Sequence, residues 1–260
     1  MSRILITGTS KGLGRATAIE LTRRGHEVIA TARNADALHN LDVAKKLQLD
    51  VTSEASVNAA VAAAGPIDVL INNAAEISRG PVESVPLAEV KRLYEINFFG
   101  AWRMIQAVAP QLRAKRSGTI LNVSSVVARA SFPLNAAYSS TKWALEAISE
   151  SLRVELGHFG VRVILVEPGQ IGTGALDNPP KFFSENDPYL PLASQMWQTP
   201  REQMTPPEAI ARTLADALEA DGDQFRFPAG EDAKALLGAR QQQNDAAFEQ
   251  TIRGALRLDW

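Results

Sequence analysis

Arg3-Ile4-Leu5-Ile6-Thr7-Gly8-Thr9-Ser10-Lys11-Gly12-Leu13-Gly14 decides the fold. Arg3 to Thr7 is a short β-rich run, read as a buried strand. A glycine-rich turn follows at once. Beyond it Ala16, Ile19, Glu20 and Leu21 give a helical pattern that stops at Gly25, and His26 to Ala32 reads as a second strand. Strand, glycine turn, helix and strand make a βαβ unit, in which the helix N-terminus points its free N–H groups at the turn. Glycines there permit positive φ and let the backbone approach an anion closely, which suits a pyrophosphate. The spacing is G-x-x-x-G-x-G, not the commoner G-x-G-x-x-G. Three glycines between strand and helix favour a nucleotide over a turn that is merely tight.

The end of the second strand bears on the choice of nucleotide. NAD-binding folds commonly place an acid there to accept from the ribose 2′-hydroxyl. Here Ala32 is followed by Arg33, and Lys11 lies inside the glycine turn. Two cations and no acid fit a 2′-phosphate, so the expected cofactor is NADP (NADPH) rather than NAD.

Composition narrows the alternatives. At 260 residues the chain can bury one substantial core, and its 45% hydrophobic and 22% charged residues are ordinary for a globular protein. A formal net charge of -2 supplies no basic field for nucleic acid or an anionic membrane. Without cysteine there is no disulfide framework or thiolate nucleophile, and His26, His39 and His158 are too scattered to suggest a metal. The apolar run after Met1 is too short for a signal-peptide core, and no stretch approaches a membrane span. The default location is cytoplasmic.

Strands and helices continue to alternate. Lys46 to Asp50 reads as a third strand ending in Asp50-Val51; Ser53 caps an Ala-rich helix to Ala64; Ile67 to Ile71 is a fourth strand entering Asn72-Asn73-Ala74-Ala75. Pro86 starts a long helix carrying Val90, Leu93, Ile96, Asn97 and Met104, which Pro110 is expected to kink or end. Thr119 to Val123 leads to Ser124-Ser125, and Asn135 opens a helix bearing Tyr138 and Lys142 to about His158. Val161 to Val166 leads into Glu167-Pro168-Gly169. The fold class is therefore α/β: a single Rossmann-like domain over residues 1–260, with a doubly wound parallel sheet covered by helices on both faces. Ligands in such sheets bind beyond the strands' carboxyl ends, where the glycine turn, Asn72, Ser125 and Pro168-Gly169 should converge.

Residues 170–207 break the rhythm with Pro179-Pro180, Phe182, Phe183, Tyr189 and Trp197, and read as a substrate-binding lid. Pro207 begins a helix to about Ala220, Gln224 to Phe227 is a last strand, and residues 230–260 form a polar, Ala-rich helical tail.

Tyr138 and Lys142 stand four residues apart and share a helix face. A free phenol has a pKa of roughly 10. A fixed cation beside it is expected to lower that value and make the hydroxyl a usable acid or base. Alone, such a pair proves little.

With these pieces in order, the chain closely resembles the classical short-chain dehydrogenases/reductases over roughly residues 3 to 230. Thr7-Gly8-xxx-Gly12-x-Gly14 is similar to the family's cofactor turn, which implies contacts from Gly8, Thr9, Ser10, Lys11, Gly12, Leu13 and Gly14. Asn72-Asn73-Ala74-Ala75 resembles its Asn-Asn-Ala-Gly element, with Ala75 in place of glycine, and implies Asn73, Ala74 and Ala75 near the cofactor. Asp50 resembles the acid that touches the adenine amino group, with Val51 beside the ring. Lys11 and Arg33 resemble the pair that marks NADP-preferring members. Pro168-Gly169-xxx-Thr173 resembles the loop at the nicotinamide, which brings in Ile171 and Thr173.

The resemblance also implies a catalytic tetrad of Asn97, Ser125, Tyr138 and Lys142. Ser125 lies thirteen residues before the tyrosine, with Ser124 as the neighbouring alternative. Tyr138 would exchange a proton with the carbonyl or alcohol, and Lys142 would lower its pKa and hold the nicotinamide ribose. Ser125 would hydrogen-bond the reacting oxygen, and Asn97 would support a water chain from the lysine. Both Tyr138 and Lys142 would also touch the cofactor. The implied activity is NADP(H)-dependent interconversion of a secondary alcohol and a ketone or aldehyde. The alternative is a non-catalytic NADP-binding sensor or scaffold; a nucleic-acid module has no basic run to support it.

The expected partner is a small-molecule substrate, with no metal, nucleic acid or membrane. Phe182, Phe183, Met196 and Trp197, with Val126, Val127, Phe132 and Leu134, suggest that it is fairly apolar. By analogy with the family, a homodimer or homotetramer would form through the helices carrying Asn97 and Tyr138.

Overall fold

The computed structural model describes residues 1–173, 179–196 and 200–258. Among them, seven parallel strands form one sheet in the order β3-β2-β1-β4-β5-β6-β7. The strands are β1 (Arg3–Ile6), β2 (Glu27–Ala32), β3 (Lys45–Gln48), β4 (Val69–Asn72), β5 (Gly118–Val123), β6 (Val161–Pro168) and β7 (Arg226–Ala229). The order reverses between β1 and β4, which opens the crevice where doubly wound sheets bind ligands.

Successive side chains leave a strand on opposite faces, and the core divides accordingly. Ile4, Ile6, Val28, Ala30, Val69 and Ile71 pack under α1 (Gly12–Arg23) and α7 (Pro207–Glu219), against Leu21, Ile210 and Leu214. Leu5, Ile29, Leu70 and Ile120 face the other way. They meet Val57 of α2 (Glu54–Ala64), Met104 and Val108 of α4 (Gly100–Lys115), and Leu156 of α5 (Ala136–Gly157). Each such side chain contributes roughly 1.5–3 kcal/mol of burial, so both faces need their helices. Edge strand β3 carries Lys45 and Lys46, charges that discourage pairing with another chain.

The strand boundaries shift by at most two residues from the sequence reading, while the order and type of the strands stand. Pro110 does not end its helix: α4 runs through it to Lys115 and closes at Arg116, whose φ is 54°. That helix is preceded by α3 (Leu87–Tyr94) and a π-helical segment, Glu95–Phe99, that holds Asn97. The lid is less irregular than expected, with α6 (Leu190–Met196) inside it and an extended pairing of Arg79 with Lys181 fastening it to the loop after β4. The tail forms α8 (Glu231–Gln242) and α9 (Asp245–Ala255), and it is not merely polar. Ala233 and Leu237 pack on Val126 and Val127, while Phe248 and Ile252 pack on Ala130.

Candidate active site

The glycine turn is locked to the end of β4 before it can hold anything. The Thr7 hydroxyl accepts from the backbone N–H groups of Asn73 and Ala74, both at 3.0 Å. The Asn73 side-chain amide donates back to the carbonyls of Thr7 (2.9 Å) and Gly8 (3.1 Å). A β-carbon on Gly14 would overlap the Gly8 carbonyl and the Asn73 amide, so this position admits no side chain. Helix α1 starts with no acidic residue in its first turn and no side-chain cap from Lys11. Its free N–H groups and positive dipole end suit a phosphate. Arg33 and Lys11 are exposed beside it, with no acid at the end of β2. These residues fit the phosphates of a dinucleotide.

One cavity of about 1300 Å³ runs from this turn across the carboxyl ends of the strands. Of the turn and cofactor residues expected from the sequence, Gly8, Ser10, Lys11, Gly12, Leu13, Gly14, Arg33, Asp50, Val51, Asn73, Ala74 and Ala75 line it. So do Pro168, Gly169, Ile171 and Thr173, with Ser125, Tyr138 and Lys142. Thr9 does not: it is buried, and its hydroxyl donates to the carbonyl of Thr31 at 3.0 Å, tying the turn to β2. Asn97 also lies behind the wall. Its side chain accepts from the Glu76 N–H (2.8 Å) and donates to the Glu76 carbonyl (2.8 Å) and the Thr141 hydroxyl (3.1 Å).

Ser125 caps a short turn at the end of β5, where its hydroxyl accepts from the Val127 N–H and donates to the Pro168 carbonyl, both at 3.4 Å. Ser124 also borders the cavity, but its buried hydroxyl has no hydrogen-bond partner. The ammonium of Lys142 is buried and donates to the Val123 carbonyl at 2.8 Å, 5.9 Å from the centre of the tyrosine ring.

Here the expected electrostatics are corrected. Burial pushes the Tyr138 phenol up to about 12, against a smaller lowering by the Ser125 hydrogen bond. Lys142 adds no lowering: its ammonium donates to the Val123 carbonyl and is itself pushed by burial down to about 8, with Glu146 pulling the other way. At neutral pH the phenol therefore keeps its proton and can donate it. Asp50 is held below its ordinary value by hydrogen bonds from Thr52, aided by the charge of Arg33.

Residues 2–181 match the short chain dehydrogenase family. The chain belongs to that family. A crystal structure of a short-chain dehydrogenase from Streptomyces avermitilis superposes with a TM-score of 0.83 at 33% identity, covering 99% of each chain. The chain is 40% identical over 202 residues to the NADPH-dependent 1-acyldihydroxyacetone phosphate reductase of Schizosaccharomyces pombe, covering 72% of this chain and 68% of that one. It is 36% identical over 243 residues to retinol dehydrogenase 8 of Bos taurus, covering 83% and 77%.

This short chain dehydrogenase holds further residues that local sequence reading missed. Glu76 pairs with Arg33 at 3.1 Å and with Arg92, so an acid sits among the cations of the cofactor end. Its place directly after Asn-Asn-Ala-Ala, at a strand's carboxyl end, was the available signal. Leu236 of α8, Leu256 after α9, Met204, Pro179 and Pro180 complete an apolar wall with Val126, Val127, Phe132 and Met196. Phe183 and Leu134 instead pack together with Leu192, and Trp197 lies outside the described residues. Among the described residues, no helix is long and apolar enough to cross a membrane.

Proposed function

We propose that this short chain dehydrogenase is an NADP(H)-dependent oxidoreductase that interconverts an alcohol and the corresponding carbonyl compound, a secondary alcohol with its ketone or a primary alcohol with its aldehyde, on a fairly apolar small molecule. The observation that carries the reading is the Tyr138 phenol, which keeps its proton at neutral pH and shares one cavity wall with Ser125 and Lys142. It opens on the same cavity as the glycine turn.

The nicotinamide, when bound, supplies or accepts the hydride. The chain's own residues manage the rest. Tyr138 donates its proton to the carbonyl oxygen in reduction and removes it from the alcohol in oxidation. Ser125 hydrogen-bonds that oxygen as charge develops on it. Lys142, its ammonium fixed by the Val123 carbonyl at 2.8 Å, would hold the nicotinamide ribose. Asn97 acts from behind, holding the Glu76 backbone and Thr141, the neighbour of Lys142.

Gly8, Ser10, Gly12, Leu13 and Gly14 would hold the pyrophosphate, with Thr9 bracing the turn. Lys11 and Arg33 would hold the 2′-phosphate, Asp50 and Val51 the adenine. Asn73, Ala74, Ala75, Pro168, Gly169, Ile171 and Thr173 would flank the nicotinamide half, with Tyr138 and Lys142 at its ribose. The NADPH-dependent relative supports the cofactor. Relatives named for retinol and for an acylated ketone support an apolar substrate, as does the wall from Val126 to Leu256.

Exposed Phe99, Trp102 and Trp143 on the helices carrying Asn97 and Tyr138 support self-association there as a homodimer or homotetramer. The location we propose is the cytoplasm. Replacement of Tyr138 by Phe should abolish NADPH-dependent carbonyl reduction while NADPH still binds; retained turnover would refute the assignment.

A further inference from the structure

The peptide of Gln170 is held at both ends. Its carbonyl accepts from the Thr205 N–H at 3.0 Å, and its N–H donates to the carboxylate of Asp232 at 2.7 Å. Asp232 lies 62 positions away, in the first turn of α8, and its carboxylate fills the space over Gly169 so tightly that a β-carbon there would overlap it. The preceding peptide is tied as well, with the Gly169 N–H donating to the Ala229 carbonyl at 3.1 Å.

Helix α8 has a second attachment. Asp232 and Leu236 are one turn apart, so they share a helix face, and both line the cavity. Leu236 belongs to the apolar cluster that contains Val126, Val127 and Tyr138. One helix thus touches the loop after β6 with its carboxylate and the surroundings of the tyrosine with its leucine.

We propose that Asp232 is a positioning residue, which fixes the Gly169-Gln170 loop against α8 and so sets the wall on which the cofactor's reactive end is received. The second half of the proposal rests on the dinucleotide reading; the tether itself does not. A hydrogen bond from a backbone N–H to a carboxylate is among the stronger kinds, and its loss removes the side-chain anchor at the Gln170 N–H.

The test compares Asp232→Ala and Asp232→Asn with the unaltered chain. Three quantities are read: amide hydrogen exchange at Gln170, the NADPH dissociation constant by fluorescence, and Tm. With alanine, exchange at Gln170 should quicken about tenfold or more and NADPH should bind about five- to twentyfold more weakly, while Tm stays nearly constant because Asp232 is exposed. Asparagine keeps an acceptor oxygen and should restore both within about twofold. Unchanged exchange at Gln170 in the alanine variant would overturn the tether. Faster exchange with unaltered NADPH affinity would overturn the positioning role. If the unaltered chain bound no NADPH, the dinucleotide reading and the positioning role would both fall, and exchange at Gln170 would still decide the tether.

Discussion

The guanidinium of Arg33 sits 3.1 Å from the carboxylate of Glu76, joining the end of β2 to the end of β4 across the switch point of the sheet. The same carboxylate takes Arg92, which is also bound to Glu89 at 2.7 Å. A 2′-phosphate arriving at Arg33 therefore competes with Glu76.

Glu76→Gln should release Arg33 and tighten NADPH binding. The pair is partly exposed, so the gain is modest, about two- to fivefold at low ionic strength, and shrinks as salt is added. Arg33→Ala should weaken NADPH about tenfold or more and leave NADH nearly unaffected. Fluorescence titration of both variants with both cofactors checks this; an unchanged NADPH-to-NADH preference in Arg33→Ala would contradict the 2′-phosphate assignment.

Lys142 is a charge kept at a cost. It is 3% exposed, and burial holds its ammonium down to about 8, so at pH 7 the fold carries a cation in an unfavourable place. Lys142→Met should raise stability by roughly 1–3 kcal/mol while turnover is lost. A lower Tm in a variant that still turns over would contradict the role given to the ammonium.

Glu167, just before Pro168-Gly169, is pushed up from 4.5 to about 7, first by burial and then by the charge of Glu146. Arg129 (3.9 Å) and Arg226 (3.8 Å) oppose the shift without cancelling it. Between pH 4.5 and about 7 the native chain holds a proton that the unfolded chain has released, so this group's contribution to stability falls as pH rises through that window. Above it the loss is complete, at roughly 3 kcal/mol. Glu167→Gln should remove the dependence, equal the natural chain near pH 4.5, and exceed it at pH 8. Urea unfolding at both pH values checks this, and parallel pH profiles for the two chains would contradict it.

Most of the fold, and the residues that line the crevice, were legible because their signals are local. Ile4 to Gly14 encodes a strand, a turn and a helix start within one stretch, and the Tyr138–Lys142 spacing defines a helix face. What escaped depends on distant contacts. Nothing near Asp232 announces Gln170, and nothing near Arg33 announces Glu76. The direction of the tyrosine's shift differs from the sequence reading because spacing placed Lys142 beside it but gave no sign that the phenol itself would be buried. Asn97 sits in a π-helical segment for which its neighbours carry no local signal, and its amide bonds the Glu76 backbone.

Gly14→Ala tests the packing of the turn. Its β-carbon must push Asn73 away from Gly8, costing about 1–3 kcal/mol and weakening NADPH binding. Thermal unfolding with and without NADPH reads both effects; a variant as stable as the natural chain, with equal affinity, would mean that the turn is looser than described.

The most direct test of hydride transfer follows deuterium from the nicotinamide C4 of labelled NADPH into alcohol products, across a panel of apolar ketones and aldehydes, by mass spectrometry. The account predicts label in the product with the natural chain and none with Tyr138→Phe, although both bind NADPH. Label appearing equally with both chains, or with neither across the whole panel while NADPH remains bound, would contradict it.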